Sequence, residues 1–121
     1  MNKKMIVSGA ACALVASSVF AADFPTKAVR IIVPFAPGGG VDLTARIFAQ
    51  KMTERVGQTF FVDNRASATG IVGVETVAKA TPDGYTLLVG SQTTQAVVPA
   101  IYDKLSYDTT RDFIGVTQIA V

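Results

Sequence analysis

The amino-acid sequence predicts an α/β fold, a mostly parallel sheet flanked by helices. Three observations predict it. Short apolar runs of strand length alternate with segments of helical period. The first such run, Val29–Val33, is apolar except at Arg30, the pattern of a strand covered on both faces. The segments joining the runs are long enough for right-handed helical crossovers between parallel strands.

Val29–Val33 is the first strand. Pro34 and Pro37 stiffen its exit, and Gly38, Gly39 and Gly40 open backbone angles closed to other residues. A helix starts near Val41. Leu43, Ile47 or Phe48, Met52 and Val56 recur at helical spacing as its apolar stripe, and Gly57 is placed to cap its end. Thr59–Val62 is the second strand, and Asp63-Asn64-Arg65 leads into a small-residue loop that ends at Gly70. A second helix runs from about Ile71 to Ala80 with Ile71, Val74, Val77 and Ala78 inward. Its Gly73 costs about 1 kcal/mol relative to alanine, which points to close packing or ligand approach there. Pro82-Asp83-Gly84 is a turn, Tyr85–Val89 the third strand, and Gly90–Gln95 a polar loop. Ala96–Tyr102 reads as a short helix interrupted by Pro99, and Phe113–Val121 as a fourth strand. Its lack of a following turn suggests a piece of something longer.

Met1–Ala21 reads as a secretory signal peptide, with Lys3 and Lys4 as its charged start, an apolar stretch from Met5 to Val15, and Val19-Phe20-Ala21 as the cleavage site. That stretch is shorter than the roughly 20 residues a membrane span needs. Lys3 and Lys4 account for the whole formal excess of +2, so the charge gives no hint of nucleic acid. The one cysteine, Cys12, also leaves with this segment. The expected product is a periplasmic chain of roughly 100 residues, enough for one small domain and not embedded in a membrane.

In an open parallel sheet, ligands bind beyond the carboxyl ends of the strands. Three loops leave those ends: Pro34–Gly40, Asn64–Gly70 and Gly90–Gln95. The first puts glycines before a helix N-terminus, where backbone N–H groups and a partial positive charge favour a carboxylate. Asp42, in the first helical turn, is read as fixing that loop by accepting N–H bonds. Phe35 serves equally as core or as pocket wall. Ser91, Thr93 and Thr94 serve equally as caps for a helix or as donors to a ligand. Nucleotide motifs fail. No Lys-Ser/Thr pair follows Gly40, and Leu43 stands where a dinucleotide fingerprint needs its third glycine. With no histidine in the chain, a Ser91 nucleophile lacks its usual base. Metal sites lack His and Cys ligands, and Asp103, Asp108 and Asp112 read as solvated loop carboxylates.

Several motifs occur together: Ile31-Ile-Val-Pro-Phe-Ala-Pro-Gly-Gly-Gly-Val-Asp42 (the Ile31-Ile32 pair counting as one apolar step), Val62-Asp-Asn-Arg65, Ala80-Thr-Pro-Asp-Gly-Tyr-Thr-Leu-Leu88, Pro99-Ala-Ile-Tyr-Asp-Lys-Leu-Ser-Tyr-Asp108 and Asp112-Phe113. From about Asp23 to Val121 the chain resembles the Bug-type substrate-binding receptors of tripartite tricarboxylate transporters. The resemblance implies a periplasmic-binding-protein-like, two-lobed fold, with residues 22–121 as the N-terminal part of the first lobe and the second lobe absent. It implies a receptor for small organic carboxylates that needs no cofactor and delivers to membrane permease subunits. It also implies ligand contacts from Phe35, Ala36 and Gly38–Gly40 in the first loop, from Ala66, Ser67 and Gly70 in the second, and from Ser91, Thr93 and Thr94 in the third. The second loop departs from the family pattern Asn-Arg-Pro-Gly-Ala-Gly-Gly, having Ala66-Ser67-Ala68-Thr69-Gly70 after Asn64-Arg65. Two rivals stand beside this reading: a truncated, non-functional product of that family, and a small periplasmic hydrolase acting through Ser91.

Overall fold

A computed structural model describes residues 23–120. The signal segment read at Met1–Ala21, with Cys12, lies outside the described residues. Three strands form one parallel sheet in the order β2-β1-β3: β1 (Val29–Val33), β2 (Phe60–Asn64) and β3 (Thr86–Leu88). Helix α1 (Gly40–Val56) joins β1 to β2, and α2 (Ile71–Ala78) joins β2 to β3. A π-helical turn, Thr93–Val97, then runs into α3, Val98–Ile101.

β1 is central because it is the most apolar run. Val29, Ile32 and Val33 are fully buried and Ile31 nearly so, each such side chain contributing about 1.5–3 kcal/mol of burial. One face of the sheet places Val29, Ile31, Val33 and Phe60 against Ala45 and Ala49 of α1. The β1-to-β2 and β2-to-β3 crossovers run in opposite directions across the sheet. Right-handedness therefore puts α2 on the other face, where Ile32 and Val74 are buried. Arg30, the one break in the run, reaches Asp63 of β2, its Nε donating to Oδ2 at 2.8 Å.

Register explains why β2 ends two residues later than expected. Asp63 and Asn64 pair with Ile32 and Val33, and the Arg65 N–H donates to the Val33 carbonyl at 2.8 Å. Thus Asn64 belongs to the strand rather than to the loop. Gly57 caps α1 as expected, in the left-handed region at φ +77, its N–H donating to the Thr53 carbonyl at 3.0 Å.

Three expectations are corrected. The buried face of α1 is Asp42, Ala45 and Ala49, flanked by Val41, Phe48 and Met52, whereas Leu43 and Ile47 are more than half exposed. Both sets recur at helical spacing, and the small alanines allow the close approach to β1 that the larger residues would block. The helix before Pro99 starts earlier than Ala96, because Ser91 and Thr94 cap it. The π turn ends two residues before Pro99, which lies inside α3 rather than interrupting it; its ring donates no N–H and crowds the Gln95 carbonyl, four residues back within that turn. Finally, residues 113–120 form no strand. Ile114 and Val116 are among the most exposed apolar residues described, and the segment pairs with neither edge of the sheet. Its composition has strand character, but a strand exists only through a hydrogen-bonded neighbour.

Gly73 sits where α2 crosses the end of β1. A Cβ there would stand 2.6 Å from the Pro34 Cβ and 2.7 Å from its Cα. Close packing is therefore the reason for this glycine. Replacing glycine by alanine in a helix interior ordinarily gains about 1 kcal/mol. Here Gly73→Ala is expected to lower stability instead, by about 1–3 kcal/mol, read as the shift of the urea midpoint at unchanged slope.

Candidate functional site

The loop between β1 and α1 is held from beneath by a buried carboxylate. Asp42 is 2% exposed. Its Oδ2 accepts the Gly38 N–H at 2.9 Å and the Arg46 Nε–H at 2.9 Å, and its Oδ1 accepts from Asn64 Nδ2 at 2.9 Å. The Arg46 bond, then the Gly38 and Asn64 bonds, hold the Asp42 carboxyl at a pKa of about 2 despite burial. Gly38 turns the chain at φ +86, a left-handed angle that favours glycine. Gly39, by contrast, has the ordinary extended angles φ −78 and ψ 167 and precedes the helix as its N-cap. The first helical bond of α1 runs from the Leu43 N–H to the Gly39 carbonyl at 3.0 Å. The N–H groups of Gly39 and Gly40 have no partner among the described residues and lie at the positive end of a 17-residue helix.

The three loops meet at Gly70. This residue is buried at φ +77 and forms the N-cap of α2. A Cβ on it would stand 2.7 Å from the Thr94 Cγ2, 3.3 Å from the Pro34 Cβ and 3.6 Å from the Phe35 Cε1. The loops after β1, β2 and β3 are thus packed together at the carboxyl edge of the sheet. There the chain leaves β1 toward one face and β2 toward the other, the arrangement that opens a binding crevice in α/β sheets. Phe35 combines the two roles left open for it: half-buried against the core, its ring edge also lies beside Gly70.

The third loop is built around a reciprocal cap. The Ser91 N–H donates to the Thr94 Oγ1 at 3.0 Å, the Thr94 hydroxyl donates to the Ser91 carbonyl at 3.1 Å, and the Thr94 N–H reaches the Ser91 Oγ at 3.4 Å. Thr94 is fully buried, and its hydroxyl is engaged in this cap. Thr93 is exposed and Ser91 half-buried. Among the described residues the Ser91 hydroxyl is hydrogen-bonded to the Thr94 N–H and hydroxyl, neither of them a base.

In the second loop Ser67 plays the structural part. Its carbonyl accepts the Gly70 N–H at 3.1 Å and its hydroxyl the Val72 N–H at 3.4 Å, closing the turn into α2. Ala36 and Ala66 are exposed at this edge. Asp108 and Asp112 lie apart. The Asp108 Oδ1 accepts from the Thr110 N–H and hydroxyl and from the Arg111 N–H, ordering its own turn.

The side chains that support the first loop from β2 and α1 are Asn64 and Arg46, neither expected as site residues. Arg46 was legible as the partner four residues after Asp42. Asn64 was not, because its place depends on the β1–β2 register.

The Asp42 carboxyl titrates near 2 when folded and near 3.8 in its ordinary setting. Its contribution to stability is therefore complete above about pH 4 and is lost as the pH falls toward about 2. Asp42→Asn is expected to be less stable than the parent at pH 7. The difference between the two should shrink across that acid window, as checked by denaturant unfolding at a series of pH values. A constant difference would exclude this carboxylate as the acid-sensitive group.

The family model described as "Tripartite tricarboxylate transporter family receptor" matches residues 44–121. A UPF0065 protein of Bordetella pertussis is 49% identical over 94 residues, covering 78% of this chain and 29% of that protein. Among solved structures, MatC (Rpa3494) from Rhodopseudomonas palustris with bound malate superposes at TM-score 0.70 and 39% identity, covering 74% of this chain and 31% of that one. R. palustris Rpa4515 with adipate superposes at TM-score 0.70 and 38% identity, covering 73% and 29%. The chain thus spans about a third of the length of the proteins it matches. The matched span takes in most of α1 and everything after it, and the chain belongs to the tripartite tricarboxylate transporter receptor family.

Proposed function

We propose that this chain carries the carboxylate-gripping part of an extracytoplasmic solute receptor. The observation that carries the reading is the meeting of three strand-end loops at Gly70, beside a glycine turn whose Gly39 and Gly40 amides lack partners among the described residues. Unpaired N–H groups at a helix N-terminus bind a negative oxygen with no side-chain reorganisation. Relatives bound to malate and to adipate support a small organic acid as the solute.

On this reading Ala36, Gly39, Gly40, Ala66 and Ser91 line the ligand side. Phe35 and Gly70 form the floor, while Gly38 and Thr94 hold the loops in shape. Residues 22–121 form the N-terminal part of a first lobe, and the segment Met1–Ala21 directs export to the periplasm. The role is binding and delivery to the membrane permease subunits of a tripartite transporter, without turnover of the solute. Among the described residues, no helix is long and apolar enough to cross a membrane.

The test pairs a ligand panel with one substitution. Titration calorimetry with malate, adipate, citrate and an aromatic acid is expected to show binding of at least one. Gly39→Val should leave the fold largely stable, with at most the modest cost of a poorer N-cap residue. Gly39 has extended angles, and the atom nearest its ideal Cβ is the Ala36 carbonyl oxygen, 3.8 Å away. Affinity should nevertheless fall roughly tenfold or more as the valine blocks approach to the amides. Unchanged affinity would remove the glycine loop from the site, and silence across the whole panel would overturn the receptor reading.

A further inference from the structure

Asn64 stands at the last position of β2, paired with Val33 of β1. Its side chain meets three groups, and their chemistry dictates its orientation. The Phe35 carbonyl, at 3.1 Å, and the Asp42 Oδ1, at 2.9 Å, only accept, so the Nδ2 amine must face them. The Arg46 Nη2 only donates and lies 3.2 Å from the Asn64 Oδ1. One primary amide therefore satisfies two acceptors and one donor at once. Aspartate has the same shape but, when ionised, no N–H to give, and leucine has neither function.

The two acceptors belong to the two ends of one loop. The Phe35 carbonyl is its start. Asp42 holds its far side by accepting the Gly38 N–H. Between these two points lie Ala36 and Pro37, and directly after them come Gly39 and Gly40, all exposed. We propose that Asn64 is a positioning residue for the ligand-binding loop: its amide clasps the Phe35 carbonyl directly and the Gly38 N–H through Asp42, fixing where the Gly39 and Gly40 amides point. This rests on the receptor reading for the ligand, but the clasp itself has a signature that needs none.

That signature is amide hydrogen exchange at Gly38, followed by NMR on the full chain, with the β1 amides as internal reference. Asn64→Asp sets a carboxylate against the Asp42 carboxylate and the Phe35 carbonyl. At pH 7, exchange at Gly38 is expected to quicken roughly tenfold or more relative to wild type, with β1 unchanged. At about pH 4 the introduced carboxyl and the Asp42 carboxyl, titrating as a coupled pair, hold one proton between them, which restores a donor to their contact. Protection at Gly38 should then return toward the wild-type value measured at the same pH. Asn64→Leu should stay unprotected at both pH values.

Malate affinity, measured in parallel, should follow the same order. Wild-type protection at Gly38 in Asn64→Asp at pH 7 would overturn the proposal. So would a loss shared equally by the β1 amides, since that would make Asn64 a support of the whole sheet. A wild-type protein that binds neither malate nor adipate would count against the receptor reading alone, because the exchange experiment still decides the clasp.

Discussion

The buried carboxylate of Asp42 is the constraint on which the carboxyl edge of this sheet depends. A charged group removed from water is tolerated only when its lone pairs meet donors. Here the donors come from three places: the backbone of the loop it follows, a side chain one helical turn ahead, and a side chain from the neighbouring strand. Meeting the needs of one ionised group thereby ties together the loop after β1, the first turn of α1 and the end of β2. Arg46 is half exposed, so the compensating charge stays partly in water while the carboxylate does not. The loop is consequently fixed by polar bonds on its inner side, and its outer amides remain available.

The second constraint is steric. The parallel order β2-β1-β3 brings three loops to one edge, but convergence requires that the elements approach closely. Gly70 and Gly73 make this possible from α2. One admits Thr94 and the Phe35 ring, and the other lets the helix lie on Pro34. Pro34 is itself fully buried. The proline that stiffens the exit of β1 is thus also the surface on which α2 rests, so the path of the first loop and the position of the second helix are set by the same residue.

Much of this was legible in the residues. The apolar run of β1, the cap at Gly57, the turn at Pro82-Asp83-Gly84 and the role of Asp42 all follow from local chemistry. What was not legible depends on partners distant in sequence. The stripe of α1 has two helical readings, and only the narrow gap to β1 selects the alanine face over Leu43 and Ile47. The end of β2 is decided by pairing with Val33, and with it the place of Asn64. Residues 113–120, the described part of the expected fourth strand, have the composition of a strand but no neighbouring ladder. In the site, all three loops were found from topology, yet which of their groups are already engaged could not be read. The Thr94 hydroxyl belongs to a cap and the Gly38 amide to Asp42: both roles were among those the residues offer, but which particular groups they engage is set by the folded geometry.

The three consecutive glycines are not equivalent. Only Gly38 needs a left-handed angle; at Gly39 and Gly40 a side chain would meet open space or ordinary contact. The scaffold therefore leaves two adjacent positions whose size it does not police. In a descendant of this chain, a methyl or hydroxymethyl group at either one would narrow the space beside the loop without disturbing the sheet beneath. On the receptor reading proposed above, selectivity among solutes of different length would be free to drift there independently of foldability.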